Sequence, residues 1–311
     1  MKKFSWRKKG LLFSPNGEGN MLNSHAQIMA PIIIENKLRI FFSSRPNPRM
    51  TLPFYADFDV NTFQLINVNT KPILELGKAG TFDEHGIMPS CIVKNDDELY
   101  LYYSGWQQSV GVPYNNYTGL AISKDNGKTF KKYSSAPVLD RNGSELYSAT
   151  SPFVLKESDI WHTWYSSGTG WHKINGKFEH TYDLKYAYSN DGKKWHQEGK
   201  IGINNYNEFE ALCKPAIIKL DETFYMWFSY RGSQGFRDGA ESYRIGLAYS
   251  NDLINWKRED KLSGIDVSKN GWDSMMVAYP SIIKIKDQYI MFYNGNSFGK
   301  DGFGYAILDI N

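Results

Sequence analysis

The chain has 311 residues, 41% hydrophobic and 15% aromatic, and 36 Lys and Arg against 33 Asp and Glu leave a formal net charge of +3. This is ample for one large core, and with no basic run longer than Arg7-Lys8-Lys9 it excludes the concentrated cationic stripe of a nucleic-acid binder. Two cysteines, Cys91 and Cys213, make neither a disulfide framework nor a zinc site, no stretch has the length of a membrane span, and MKKFSWRKKGLLF lacks a secretory h-region.

These features predict a cytoplasmic protein with no metal, no cofactor, and neither nucleic acid nor membrane as a partner. In chain order, FSWRKKGLLF (4–13) comes first and reads as a strand. A block then recurs five times, entering through Pro31, Pro89, Pro152, Pro215 and Pro280 at spacings of 58, 63, 63 and 65 residues. Each proline opens a short apolar run: IIIE (32–35), SCIVK (90–94), FVLK (153–156), AIIKL (216–220) and SIIKI (281–285). A tight polar turn follows, then a second run alternating aromatic and small residues, such as LYLYYSGW (99–106) and TFYMWFSYRG (223–232). Alternation of period two is the pattern of β-strands. Third strands read FYADFD, GLAIS, LKYAYS, IGLAYS and GYAILD, and four blocks turn into an outer strand near Phe63, Phe130, Trp195 or Trp256.

A strand-only repeat of this length predicts an all-β, five-bladed β-propeller of four-stranded antiparallel blades, a single domain over 1–311. The last block ends without an outer strand, so residues 4–13 are expected to supply it and close the ring; a separate N-terminal arm is the alternative. Turns carrying Asp125, Asp191 and Asp252 suit tight hairpin geometry and are read as structural.

Connections within the first and third hairpins are short, whereas Gly105–Thr118, Ser167–Asp183 and Arg231–Arg244 are expected to be long loops on one face. Binding and catalysis concentrate on such loops. The segments before the inner strands, SHAQIMAP, FDEHGIMP, YSATSP, EFEALCKP and WDSMMVAYP, should line one funnel on that face. Glu84 and Glu210 each precede their proline by five residues and Asp273 by seven. They are the ionisable groups expected to point into the funnel. His25, Gln27, Arg45, His85, Trp106, Trp171 and Arg231 are expected around the same funnel.

The turn sequences SKDNGKTF, SNDGKKW and SNDLINW resemble the Asp-box hairpins of glycosidase propellers. With the inward acids, they make the whole chain resemble the five-bladed propeller glycosidases, the superfamily of glycoside hydrolase family 43 and the levansucrase and invertase enzymes. The resemblance implies a carbohydrate substrate and puts Glu210 where family 43 has its general acid. Glu84, Glu210 and Asp273 are then the expected catalytic carboxyl groups, Glu210 as acid and Glu84 or Asp273 as base. His25, Gln27, Arg45, His85, Trp106, Trp171 and Arg231 become the expected substrate contacts, the tryptophans to stack on sugar faces and the arginines to hold an anionic group. The chain departs from family 43 in two blades: His25, Ala26 and Gln27 stand where one aspartate belongs, and Ser148, Thr150 and Ser151 where another does. Neither the N-D-P-N-G nor the R-D-P and E-C elements of the invertase branch occur. Three readings follow: a glycoside hydrolase-like enzyme on an oligosaccharide or polysaccharide, a glycosyl-transferring variant in surface-glycan metabolism, and a non-catalytic carbohydrate-binding propeller.

Overall fold

The alternating runs form strands in the computed structural model, which describes residues 2–15, 17, 21–237 and 239–310. Met1 and Asn311, the ends of the expected domain, lie outside the described residues. The strands fall into successive antiparallel sets. The first holds β2 (Gln27–Ile34), β3 (Lys37–Asn47), β4 (Met50–Asp59) and β5 (Leu65–Val68). The second holds β6 (Gly86–Asn95), β7 (Glu98–Gln108), β8 (Tyr114–Ser123) and β9 (Lys131–Lys132). β10 (Ala149–Glu157), β11 (Ile160–Ile174), β12 (Lys177–Ser189) and β13 (His196–Ile203) make the third. β14 (Ala211–Leu220), β15 (Thr223–Arg231), β16 (Arg244–Ser250) and β17 (Lys257–Arg258) make the fourth. In the fifth, β18 (Ala278–Ile285), β19 (Gln288–Asn294) and β20 (Phe303–Ile310) are joined by the N-terminal strand β1 (Phe4–Phe13), antiparallel to β20.

The third strand of one set meets the first strand of the next at one parallel contact, as in Thr51 with Gly86, Tyr117 with Ala149 and Tyr182 with Ala211. Apolar side chains fill the space between sets. Trp164 and Leu184 of the third pack with Leu212 and Met226 of the fourth. Phe13 and Phe303 of the fifth set pack with Phe42 and Phe54 of the first, so the two ends of the chain share one core. The outer turns behave as read: Asp125 accepts the N–H groups of Lys128 and Thr129, Asp191 those of Lys193 and Lys194, and Asp252 those of Ile254 and Asn255.

One expectation is corrected. Gly105–Thr118 and Ser167–Asp183 are mostly strand, because β7–β8 and β11–β12 continue as ribbons past the rim. The β11–β12 turn is only Asn175-Gly176, with φ of 49° and 80°. Two successive positive φ values make the tight hairpin that Asn-Gly favours, and the period-two pattern simply runs on to it.

Candidate functional site

The prolines that mark each repeat sit at irregularities in the inner strands. Register shifts fall between Gln27 and Ala30, Pro89 and Cys91, Thr150 and Phe153, Cys213 and Ala216, and Ala278 and Ser281. Proline has no N–H for the ladder, so a bulge is where a strand tolerates it. The bulged residues Ile28, Ser151, Lys214 and Tyr279 have φ near +50° to +56°. Such backbone costs about 1–3 kcal/mol each and turns a side chain out of the pleat. Three of the four freed N–H groups are held by the second strand of the preceding set. Ser104 Oγ accepts from Ser151, Ser229 Oγ from Tyr279, and Asn294 Oδ1 from Ile28. Ser166, at the equivalent place before Lys214, has a buried hydroxyl without a partner.

Ile28, Ser151 and Tyr279 turn into a cavity of about 400 Å³, also lined by Ser166. The expected contacts Gln27, Arg45, Trp106, Trp171 and Arg231 all line it. Trp106 is fixed by donating Nε1–H to Thr51 Oγ1 at 2.7 Å. Trp171 stacks on His180 with ring centroids 4.2 Å apart and 9° between planes. Burial, then the neighbouring Arg231, pushes the His180 imidazole down to about 3, so it is neutral. Gln27 Oε1, Arg45 Nε, Asn116 Oδ1, Thr150 Oγ1 and Ser166 Oγ are buried lining atoms without a partner in the protein. Buried polar atoms are normally paired, so these five are open to whatever polar molecule, water included, enters the cavity.

The three expected carboxylates do not converge there. Glu84 Oε2 accepts the Gly80 N–H at 2.7 Å and so caps its own loop. Glu210 is sealed in a two-point pair with Arg258 at 2.7 and 2.8 Å and also accepts the Tyr206 N–H. Asp273 meets Lys8 at 2.7 Å and the Tyr293 hydroxyl at 2.9 Å. None of the three lines the cavity. The pattern behind this is a latch that repeats around the fold. Asp83 takes Lys132 at 2.6 Å and the Tyr103 hydroxyl at 2.9 Å, and Glu145 takes the Tyr165 hydroxyl at 2.7 Å. In each latch an acid before an inner strand is tied to the second strand, the outer strand, or both. In the fourth set Phe228 stands where the others have tyrosine, and Arg258 occupies both oxygens of Glu210 instead. Each of these acids is thus held by partners of its own outside the cavity.

His85 and His25 are likewise behind the wall. The His85 ring lies 5.8 Å from that of Trp106. His25 sits against Arg45 and Lys300; burial, with those two charges, lowers it to about 4.

The carboxylate that does line the cavity is Glu179, 6% exposed and gripped by Arg237 at 2.7 and 2.9 Å. It lies on the β12 half of the ribbon, and the Asn175-Gly176 turn was the signal that would have placed it. Tyr182, Tyr243 and Phe236 also line the cavity and surround Arg231, whose guanidinium is 3.8 Å from the Phe236 ring. A second cavity of about 490 Å³ lies beside Asp183, His172 and Glu208. There burial pushes the Asp183 carboxyl up to about 6, and its Oδ1 has no partner. Among the described residues no group of three His, Cys, Asp or Glu side chains is arranged to hold a metal ion.

Residues 58–234 match the model of the glycosyl hydrolases family 32 N-terminal domain. An uncharacterised protein of Mycobacterium tuberculosis (strain CDC 1551) is 33% identical over 309 residues, covering 98% of this chain and 99% of that protein. A 1,2-beta-oligomannan phosphorylase of Thermoanaerobacter sp. (strain X514) is 29% identical over 169 residues, 52% of each chain. The solved structure of a thermostable family-43 glycoside hydrolase superposes with a TM-score of 0.66 at 16% identity, over 93% of this chain and 89% of that one.

Proposed function

The chain belongs to the family of glycosyl hydrolases family 32 N-terminal domains, a divergent part of the propeller glycosidases, and from that premise we propose that it cleaves a glycosidic bond of an oligosaccharide or polysaccharide in the central cavity. In this reading residues 1–311 are one domain, the five sets are the blades of one ring, and the pairing of β1 with β20 closes it. A cytoplasmic setting belongs to the same reading.

The observation that carries it is the set of unpartnered buried polar atoms on the cavity that Trp106 and Trp171 also line. A sugar offers hydroxyl groups to Gln27, Asn116, Thr150 and Ser166, and C–H faces to indole rings. Cleavage by two facing carboxyl groups needs them about 5–5.5 Å apart for retention or about 6.5–9.5 Å for inversion. Among the lining residues Glu179 is the one carboxylate. Its two-point pair with Arg237 fixes the carboxyl group as the acceptor that orients the attacking hydroxyl. The second reactant is then water or an acceptor molecule. Transfer to an acceptor is the second reading, favoured by that lone carboxylate and by the partial likeness to a phosphorylase.

The test is turnover of a broad glycoside panel, with and without added acceptor anions, by wild type and Glu179→Gln. The proposal expects cleavage by wild type, a loss of about 10²-fold or more in the variant, and a cooperative melt showing that the variant is folded. Binding without any turnover across the panel would make the chain a carbohydrate-binding module instead.

A further inference from the structure

The charge around the cavity does not balance. Arg45, Arg231 and Arg237 line it, against the single carboxylate of Glu179. Arg237 takes both oxygens of Glu179. Arg231, 3% exposed, donates only to neutral acceptors: the carbonyls of Gly232 and His180 at 2.7 Å, and the hydroxyls of Tyr243 at 3.3 Å and Tyr182 at 3.4 Å. Arg45 has a buried Nε with no partner. Burial with no facing carboxylate even lowers its guanidinium below the ordinary range.

No other group near the cavity supplies the missing negative charge. Burial holds the Tyr243 and Tyr279 phenols well above their ordinary range, so they are neutral. His25 and His180 are neutral for the same reason. Lys300 on one side and the buried Lys214 beside Cys213 add positive charge. The guanidinium groups of Arg45 and Arg231 both act on the Tyr279 phenol, and all three residues line the cavity. An unpaired buried charge costs several kcal/mol and is retained where a ligand completes it.

We infer that Arg45 and Arg231 form an anion subsite of the sugar cavity, selecting a carbohydrate that carries a carboxylate or phosphate group. This rests on the reading of the cavity as the sugar site and names the class of sugar it takes. The planar guanidinium fork suits either oxyanion. The anion is borne on the sugar because the subsite is continuous with the Trp106 and Trp171 walls, on the same cavity.

Calorimetric titration with glucose, glucuronate, glucose 6-phosphate and inorganic phosphate, each at low and high salt, tests it. Wild type should bind an acidic sugar at least about tenfold more tightly than glucose. Arg45→Gln should remove that advantage, and Arg45→Lys should restore part of it. Because Gln removes an uncompensated charge, Arg45→Gln should melt no lower than wild type, which an arginine with a merely structural role would not allow. Equal affinity for glucose and both acidic sugars would overturn the inference and leave the sugar cavity standing. Inorganic phosphate binding as tightly as glucose 6-phosphate, and lost in Arg45→Gln, would overturn the sugar-borne source in favour of a free oxyanion. If no sugar of either kind binds and phosphate does not, both the inference and the cavity reading fail.

Discussion

Glu210 separates the catalytic expectation from the structural one. Its side chain is 8% exposed and that of Arg258 is 7% exposed. Glu210→Gln keeps an acceptor for the Tyr206 N–H but sets an amide N–H₂ against Arg258. Breaking a buried pair costs about 3–5 kcal/mol. Arg258 keeps Asp260 at 2.7 Å, so the cost should fall near the lower end, about 3 kcal/mol. Arg258→Met instead strands both carboxylates and should cost at least about 5 kcal/mol. At about 2.1 cal/mol/K per residue, 311 residues unfold with roughly 0.65 kcal/mol/K, so these losses lower Tm by about 5 °C and 8 °C respectively. Calorimetric melting at pH 7 reads both, and sugar titration of the same samples should give unchanged affinity. A Glu210→Gln protein that melts with wild type but has lost turnover would refute the latch and restore Glu210 as the acid.

Deleting residues 1–13 removes Phe4, Trp6 and Phe13, each at most 7% exposed, losing roughly 5–9 kcal/mol of burial against a typical total of about 5–15; no cooperative melt is expected, and one near the full-length Tm would contradict the pairing of β1. His180, lowered to about 3 by burial, adds no penalty above pH 6.5 but costs about 1.4 kcal/mol per unit as pH falls below it. Denaturant midpoints of His180→Gln should therefore lose less stability than wild type between pH 6.5 and 5, by about 2 kcal/mol; parallel curves would contradict this. Lys214, 1% exposed and lowered to about 8 by burial, penalises the fold below pH 8, and the penalty lifts as pH rises from 8 toward 10.5. Lys214→Met should be the more stable protein at pH 7, by up to about 3 kcal/mol, with the gap closing by pH 10; a gap that widens would refute it.

The strands were legible because each proline, turn and aromatic run states a local rule that packing does not overturn. Arg45, Trp106 and Arg231 lie near the ends of second strands, where the sequence put them beside the cavity, while Trp171 lines it from within the β11 ribbon. The acids were not legible. Glu84 and Glu210 share a five-residue spacing from their prolines yet take different partners, because the loop before Pro89 puts Asp83, one residue earlier, against Tyr103 and Lys132. Whether an acid is latched depends on a cation distant in the chain: Lys132 for Asp83, Arg258 for Glu210, and the N-terminal Lys8 for Asp273. No spacing near the proline encodes that. Glu179 was missed because the ribbon carrying it read as loop.

A crystal structure of the protein soaked with acidic and neutral oligosaccharides tests the central claim most directly. The account predicts density for a sugar ring between Trp106 and Trp171, with hydroxyl groups on Gln27, Asn116, Thr150 and Ser166 and a glycosidic oxygen near Glu179. Sugar density at the Glu84 or Glu210 loops, or in the cavity beside Asp183, with the central cavity left to water, would contradict it.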